Sequence, residues 1–333
     1  MPHTIFDRVN KWSMSTTASA DFISLFSQIE YLAEKQFSEY HPTSGPPHKE
    51  FTVRLRDWLD SAADEEDQQT LLRLVPHLFF IGSREFRSLY RAAFNGPITR
   101  WLIDELALDF SSPDFHDDLW NAIKHTWFCG ITDSMQIAEF HHVNNIEGAD
   151  LRPDWRTLAR FAEPQRVKAY MDTNRLQRVV LLEDFVGTGT QMTTSVNFAS
   201  TIPGAPSVLV LPLITAPGGI EVGSALSSSF SNISFATTLE LLQAAFVCDV
   251  SNPNESNLFQ IVRELIVRLY PILTGGRLGN EDKKPYGPFG YNRGTPRRGA
   301  LVVMYTNCPD NTLPIIHYSS QNWSPLFPRS SRV

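Results

Sequence analysis

The pattern of hydrophobic and polar positions changes near Trp127. Before this residue, apolar side chains recur every three or four positions, which predicts amphipathic helices. The predicted helices cover residues 21–37, 51–59, 71–80, 84–94 and 98–108, with a kink or break at Pro76. No strand is predicted here. Residues 1–125 are therefore expected to form an all-helical N-terminal domain.

After Trp127, short apolar runs rich in β-branched residues alternate with helical patterns. The predicted strands are residues 127–131, 178–183, 207–213, 233–238 and 300–305, and the predicted helices are residues 135–143, 155–171, 192–199, 219–227 and 257–271. Such alternation is typical of crossover units around a parallel sheet. We therefore expect residues 126–333 to form an α/β domain with a Rossmann-like parallel sheet and a C-terminal extension.

Residues 178–191 combine a strand, a short loop and a helix start. Four apolar residues, as expected of a strand covered on both faces, are followed by Glu183 and Asp184. The loop then contains Gly187, Thr188, Gly189, Thr190 and Gln191. A helix N-terminus binds phosphate through its unpaired N–H groups, and glycines let the backbone approach the ligand closely. The segment predicts a phosphate site, with two acids placed to accept hydrogen bonds from ribose hydroxyls.

Other interpretations of this loop are weaker. It is not a Walker loop, since no Gly-Lys pair occurs in the chain, and Met192 stands where a dinucleotide fingerprint needs its third glycine. A tight turn with a solvated acid pair remains the structural alternative.

The segment resembles the fingerprint of type I phosphoribosyltransferases. The resemblance implies a phosphoribosyltransferase-type fold over about residues 125–310, which binds phosphoribosyl diphosphate or a nucleotide. It implies that Glu183 and Asp184 are the catalytic acids that contact the ribose hydroxyls, and that Gly187–Gln191 hold the 5′-phosphate. It also implies Mg²⁺ as cofactor, held by the two acids indirectly, through the substrate.

Two further segments are candidates for the same site. Gly130, Ile131, Thr132, Asp133 and Ser134 follow the first predicted strand, where the family has its pyrophosphate loop. Helix capping by Thr132, Asp133 or Ser134 would equally explain that loop. Lys283 and Lys284 lie in a loop rich in glycine and proline, residues 275–299, and are candidate lid cations; a mobile surface loop is the alternative.

Two positions depart from the family pattern. Gly187 stands where purine phosphoribosyltransferases have an aspartate, and Gln191 replaces the usual closing threonine. These departures leave three hypotheses open. The protein is a glycosyltransferase that displaces pyrophosphate, a non-catalytic sensor of a nucleotide or ribose phosphate, or an interaction scaffold with a vestigial pocket.

The C-terminal segment Trp323-Ser-Pro-Leu-Phe-Pro-Arg329 resembles the ends of phosphoribosyltransferase-like proteins of bacterial conflict and antiphage gene clusters. This implies a role in antiviral defence, with a possible protein partner bound by the helical N-terminal domain. Trp323 and Phe327 are also expected to anchor the tail on the core, given the burial preference of aromatic side chains.

Composition narrows the class of protein. The net charge of −7 argues against broad nucleic-acid binding, and no apolar stretch is long enough to span a membrane. Three widely spaced cysteines and no signal peptide indicate a reduced, cytoplasmic setting with buried thiols. His141 and His142 are expected to be structural, because no third metal ligand lies nearby in sequence. The acceptor base, the oligomeric state and any partner stay open.

Overall fold

The computed structural model describes residues 4–14, 21–42, 49–147, 155–275, 287–291 and 296–330. Its helices are α1 (Ile5–Ser13), α2 (Phe22–Lys35), α3 (Phe51–Asp60), α4 (Glu65–Leu74), α5 (Ser83–Ala93), α6 (Thr99–Leu106), α7 (Phe115–Lys124), α8 (Ile137–Val143), α9 (Trp155–Phe161), α10 (Pro164–Thr173), α11 (Thr190–Ala199), α12 (Pro217–Ser229), α13 (Asn257–Thr274) and α14 (Pro314–His317). Its strands are β1 (Phe79–Ile81), β2 (Thr126–Gly130), β3 (Arg178–Val186), β4 (Ser207–Thr215), β5 (Ile233–Phe235), β6 (Leu239–Glu240), β7 (Phe246–Cys248), β8 (Arg298–Ala300) and β9 (Val302–Met304).

The chain forms two compact units. One contains Met1–Ser83 together with Gln243–Val333, and the other contains Arg84–Leu242. We call them the terminal unit and the central unit. Their bounds differ from those of the predicted domains, residues 1–125 and 126–333, because the C-terminal segment packs with the first helices. The division into residues 1–125 and 126–333 stays a prediction.

The central unit is built around a parallel sheet. Its strands lie in the order β2-β3-β4-β5, and β6 pairs with the end of β4. The apolar run Val179–Leu182 is fully buried between β2 and β4, as its continuous hydrophobicity predicts. The predicted fold class, an α/β protein with a parallel sheet and a helical N-terminal region, is confirmed.

Two predicted elements of this unit differ in detail. β3 runs to Val186, three residues beyond the predicted end at Glu183, so the strand continues past the two acids instead of ending at them. The single helix expected over residues 155–171 is two helices, α9 and α10. Pro164 begins the second one, because a proline lacks the N–H that would continue the first helix but fits a first-turn position.

The terminal unit contains helices α1–α4, α13 and α14 and two small sheets. β1 pairs in parallel with β9, and β7 pairs antiparallel with β8. A strand therefore lies in the region where none was predicted. α4 ends at Leu74, a 3-10 turn covers Val75–His77, and β1 follows. The expected strand over residues 300–305 is split between β8 and β9 and does not join the central sheet.

The C-terminal segment is buried in the terminal unit, which confirms the expected anchoring of the tail. Trp323 and Phe327 belong to its hydrophobic core. The Trp323 indole donates a 2.9 Å hydrogen bond to the backbone oxygen of Ile315. The Arg54 guanidinium donates to the backbone oxygen of Leu326 at 3.0 Å, and the Tyr40 hydroxyl donates to that of Pro328 at 2.7 Å. The first helices therefore hold the last residues of the chain.

Because His317 is buried in α14, the free energy of unfolding is expected to fall in acid. Burial lowers the pKa of His317 from 6.5 to about 4. Between these values the unfolded chain binds a proton that the folded protein does not, so the free energy of unfolding falls as the pH falls from 6.5 to 4. The loss is about 3 kcal/mol. We would measure the free energy of unfolding in urea at several pH values across this range. It should depend less on pH for His317→Gln than for wild type. An equal dependence on pH for the two proteins would contradict the prediction.

The sequence analysis also made predictions about the cysteines, about His141 and His142, and about membrane-spanning segments. Cys129, Cys248 and Cys308 are buried and form no disulfide, as expected of thiols in the core. His141 is buried in α8, and no group of three or more potential metal ligands occurs in the described ranges. Within those same ranges, no helix has both the length and the apolar character needed to cross a bilayer.

Candidate functional site

The acid pair lies at the carboxyl end of β3. Glu183 is 3% exposed and Asp184 is 8% exposed. Both belong to the strand at the centre of the edge where β2, β3 and β4 all end, which is where ligands of open α/β sheets bind. Carboxylates at this depth need hydrogen-bond donors, because burying an unpaired charge is costly.

The β2–α8 loop, residues 131–136, supplies those donors. The Thr132 amide donates to Glu183 Oε2 at 2.9 Å, and the Thr132 hydroxyl donates to Glu183 Oε1 at 2.6 Å. The Ser134 hydroxyl lies 3.0 Å from Asp184 Oδ1 and 3.3 Å from Glu183 Oε1. The Asp184 Oδ1 atom also accepts from the Phe185 amide at 2.7 Å. The structure thus joins two segments that are about fifty residues apart in the sequence.

Helix capping does not explain the side chains of this loop. α8 begins at Ile137, its N-cap is Gln136, and no side chain makes a capping hydrogen bond there. Thr132 and Ser134 bind the acids instead.

The other three candidates of this loop have different surroundings. Gly130 is the last residue of β2, and a Cβ there would lie 2.9 Å from the Thr132 oxygen. The Ile131 amide donates to the Leu182 oxygen at 2.7 Å, and its side chain is buried in the core. Asp133 is exposed. Ile131 therefore supports the loop, and its side chain is not available to a ligand.

The glycine–threonine loop, Gly187–Gly189, leads directly into α11 at Thr190. Gly189 has a φ of +74°, a conformation that favours glycine, and no side-chain cap covers the helix start. The hydroxyls of Thr188 and Thr190 lie 3.1 Å apart, and Thr190 and Gln191 are exposed. The first amides of α11 therefore have no side-chain acceptor at the cap, and such amides at a helix N-terminus are able to bind an anion.

The start of α12 packs against this loop, a contact that the sequence analysis missed. A Cβ on Gly189 would lie 2.7 Å from Val222 Cγ1, and a Cβ on Gly218 would lie 3.3 Å from the Gly187 oxygen. A Cβ on Gly219 would meet the Val186 oxygen at 2.8 Å. The run Pro217-Gly218-Gly219 directly after the third strand of the same edge was the available signal.

The electrostatics of the acid pair favour a proton on Glu183. Burial raises the pKa of Glu183, and the neighbouring charge of Asp184 raises it further, while hydrogen bonds from Thr132 and Ser134 act in the opposite direction. Two adjacent buried carboxylates repel each other, so a cation or a ligand hydroxyl at this position would relieve the repulsion.

The donor set fits Mg²⁺ held through a substrate. Two carboxylates and two hydroxyls present hard oxygen ligands, and Mg²⁺ typically takes one or two carboxylates together with substrate phosphates and water. Within the described ranges, no group of three or more His, Cys, Asp or Glu side chains lies close enough together to hold a metal ion.

The candidate lid cations Lys283 and Lys284 lie outside the described residues. Two aromatic residues of the same loop are described. Phe289 is buried in the core of the terminal unit, and the Tyr291 amide donates to the Asp310 oxygen at 2.9 Å. The Phe289 ring is therefore part of the hydrophobic core.

A parallel sheet whose carboxyl edge combines an acid pair with a glycine–threonine loop resembles the phosphoribosyltransferase-like class. The PRTase-CE family model matches residues 55–329, and the chain belongs to this phosphoribosyltransferase-like family. The predicted family resemblance is confirmed, and the match begins well before the expected residue 125. No curated protein and no solved structure matches the chain significantly.

Proposed function

We propose that the carboxyl edge of the central sheet binds phosphoribosyl diphosphate with Mg²⁺, and that the protein is a phosphoribosyltransferase. One observation carries the proposal: a buried acid pair and an uncapped helix start, joined by the Gly187–Gly189 loop, lie at one sheet edge. The loop amides would bind the 5′-phosphate, and Asp184 would accept hydrogen bonds from the ribose hydroxyls. Membership of a phosphoribosyltransferase-like family supports this assignment.

The chemistry would be the displacement of pyrophosphate from the sugar by an acceptor. The bond from the anomeric carbon to the diphosphate oxygen breaks as the acceptor forms its bond, through a transition state of oxocarbenium character. The bound cation would neutralise charge on the diphosphate. The protein's contribution is to hold the sugar and its phosphate in place, since positioning and preorganised polar groups lower such barriers without a protein nucleophile.

Two observations favour a second candidate, a sensor that binds ribose phosphate without turnover. Position 187 is a glycine, so it has no carboxylate that could accept a proton from an acceptor. The backbone oxygen of Gly187 also lies close to Gly218 at the start of α12. Both acids are engaged by the β2–α8 loop. Pyrophosphate release with a panel of purine, pyrimidine and amine acceptors separates the two candidates: release with one acceptor identifies the enzyme, whereas tight binding without release identifies the sensor.

Binding is tested by calorimetry with phosphoribosyl diphosphate. Wild-type protein is expected to bind the ligand in the presence of Mg²⁺ and at least tenfold more weakly without it. Asp184→Asn removes the charge that accepts the hydroxyls, and is expected to weaken binding by one to two orders of magnitude. Asp172→Asn is the matched control, since it makes the same change at an exposed site on α10. Absence of binding by folded wild type, and equally by a variant in which Ser134, whose hydroxyl contacts both acids, is replaced by alanine, would contradict the proposal.

A role in bacterial antiviral defence, with a protein partner, extends the proposal. It rests on the resemblance of Trp323–Arg329 to the ends of proteins from antiphage gene clusters. Phage plating on cells that express wild type or Asp184→Asn tests it: equal plaque counts on both and on empty-vector cells would exclude a defence role.

A further inference from the structure

The Ser134 hydroxyl bridges the two acids. Its oxygen lies 3.0 Å from Asp184 Oδ1 and 3.3 Å from Glu183 Oε1. One oxygen within hydrogen-bond distance of two carboxylates has the environment that a sugar hydroxyl would have in the proposed complex. Ser134 itself is only partly buried, in contrast to Thr132.

We propose that Ser134 occupies the position of a ligand hydroxyl in the free protein, so that a phosphorylated ribose must displace it to bind. The inference rests on the proposed function and adds a regulatory contact to the same site. Ser134 is then a competitor of the ligand and sets the concentration at which the site fills.

The surrounding loop allows Ser134 to be displaced without unfolding. On one side, the Ile131 amide is fixed to the Leu182 oxygen and Thr132 is fixed to Glu183 by two hydrogen bonds. On the other side, Met135 is buried. Between these anchors, rotation about the Cα–Cβ bond of Ser134 would turn its hydroxyl away from both carboxylates.

Thr132 and Ser134 therefore have different roles. Thr132 is 3% exposed and binds both oxygens of Glu183, so it is a positioning residue that stays in place. The Thr132 hydroxyl is 2.7 Å from the Ser134 hydroxyl, and it retains its bond to Glu183 when Ser134 turns away. Only the Ser134 contacts compete with a ligand.

Ser134→Ala tests the competition by calorimetry with phosphoribosyl diphosphate and Mg²⁺. A hydroxyl bound to a charged carboxylate stabilises the free state, and its removal is expected to tighten binding about tenfold. Ser134→Thr keeps the hydroxyl and is expected to bind more weakly than Ser134→Ala. Ser228→Ala, an exposed serine near the end of α12, should leave the affinity unchanged. Inorganic phosphate is a second probe, which has no sugar hydroxyl and should bind wild type and Ser134→Ala equally.

The outcomes separate this inference from the proposed function. If Ser134→Ala binds phosphoribosyl diphosphate more tightly than wild type does, while inorganic phosphate binds the two proteins equally, both the competition and the proposed function are supported. This includes the case in which only Ser134→Ala binds the sugar ligand measurably. Equal or weaker binding by Ser134→Ala, with wild type binding, overturns the competition and leaves the proposed function standing. If Ser134→Ala also binds inorganic phosphate tenfold more tightly than wild type does, the competition is likewise overturned. Failure of wild type and Ser134→Ala alike to bind overturns the proposed function, and the inference with it.

Discussion

Substitution of Gly189 by alanine is expected to lower the free energy of unfolding by about 3 kcal/mol and to abolish binding of a phosphorylated sugar. Two effects add. Gly189 has a φ of +74°, which an L-residue adopts only with strain, and its Cβ would lie 2.7 Å and 2.8 Å from two atoms of Val222. Val222 is β-branched and stiff at its first torsion, so it cannot easily turn aside. The backbone must then move in the loop that would hold the phosphate.

Gly204→Ala is the matched control, because Gly204 also has a positive φ, of +82°, but its Cβ would meet only the flexible end of Lys168 at 3.3 Å. This variant isolates the backbone strain and should cost about 1 kcal/mol, with ligand affinity unchanged. Val222→Ala, added to Gly189→Ala, should recover part of the lost stability. Denaturant unfolding and calorimetry measure both quantities; equal losses for Gly189→Ala and Gly204→Ala would show that α12 does not constrain the loop.

Replacing Phe327 by alanine is expected to destabilise the terminal unit by about 4 kcal/mol, the cost of a large cavity in a closely packed core. The Phe327 ring is fully buried, with its centroid 5.3 Å from the ring of Phe37 and 5.0 Å from that of Tyr40, both edge to face. The Arg54 guanidinium lies over the same ring at 5.2 Å. Loss of the ring removes the contact around which the tail and the first helices pack.

Phe6→Ala provides the comparison, since Phe6 is 57% exposed in α1 and its truncation should change stability by less than about 1 kcal/mol. Thermal and urea unfolding of both variants measures the difference. A loss below about 1 kcal/mol for Phe327→Ala would show that the tail is dispensable for the terminal unit.

The sequence predicts the central unit well because its signals are local. Four consecutive apolar residues before Glu183 and Asp184 indicate a strand buried on both faces, and β3 has that environment. The glycines after it indicate a loop in which the backbone has unusual freedom, and Gly189 has the positive φ. The helix after the loop was predicted to begin at Met192, and α11 begins two residues earlier, at Thr190.

Features that depend on distant pairing could not be predicted in this way. Phe79–Ile81 is a strand because Val302–Met304 lies beside it, and nothing in its own periodicity shows that partner. Thr132 and Ser134 have the residue types of a helix cap, so only their proximity to the acids across the sheet edge reveals their contacts. The close packing of α12 on the glycine–threonine loop could not be predicted either, because it joins residues that are distant in the sequence.

The central claim is that a phosphorylated ribose binds at the carboxyl edge of the central sheet, and a crystal structure with phosphoribosyl diphosphate and Mg²⁺ tests it most directly. The account predicts the 5′-phosphate within hydrogen-bond distance of the amides of Thr188–Gln191, sugar hydroxyls beside Asp184, and the Ser134 hydroxyl turned away. Ligand density elsewhere on the protein would contradict this claim. A ligand bound at this edge beside a Ser134 hydroxyl that still bridges the acids would contradict only the competition by Ser134.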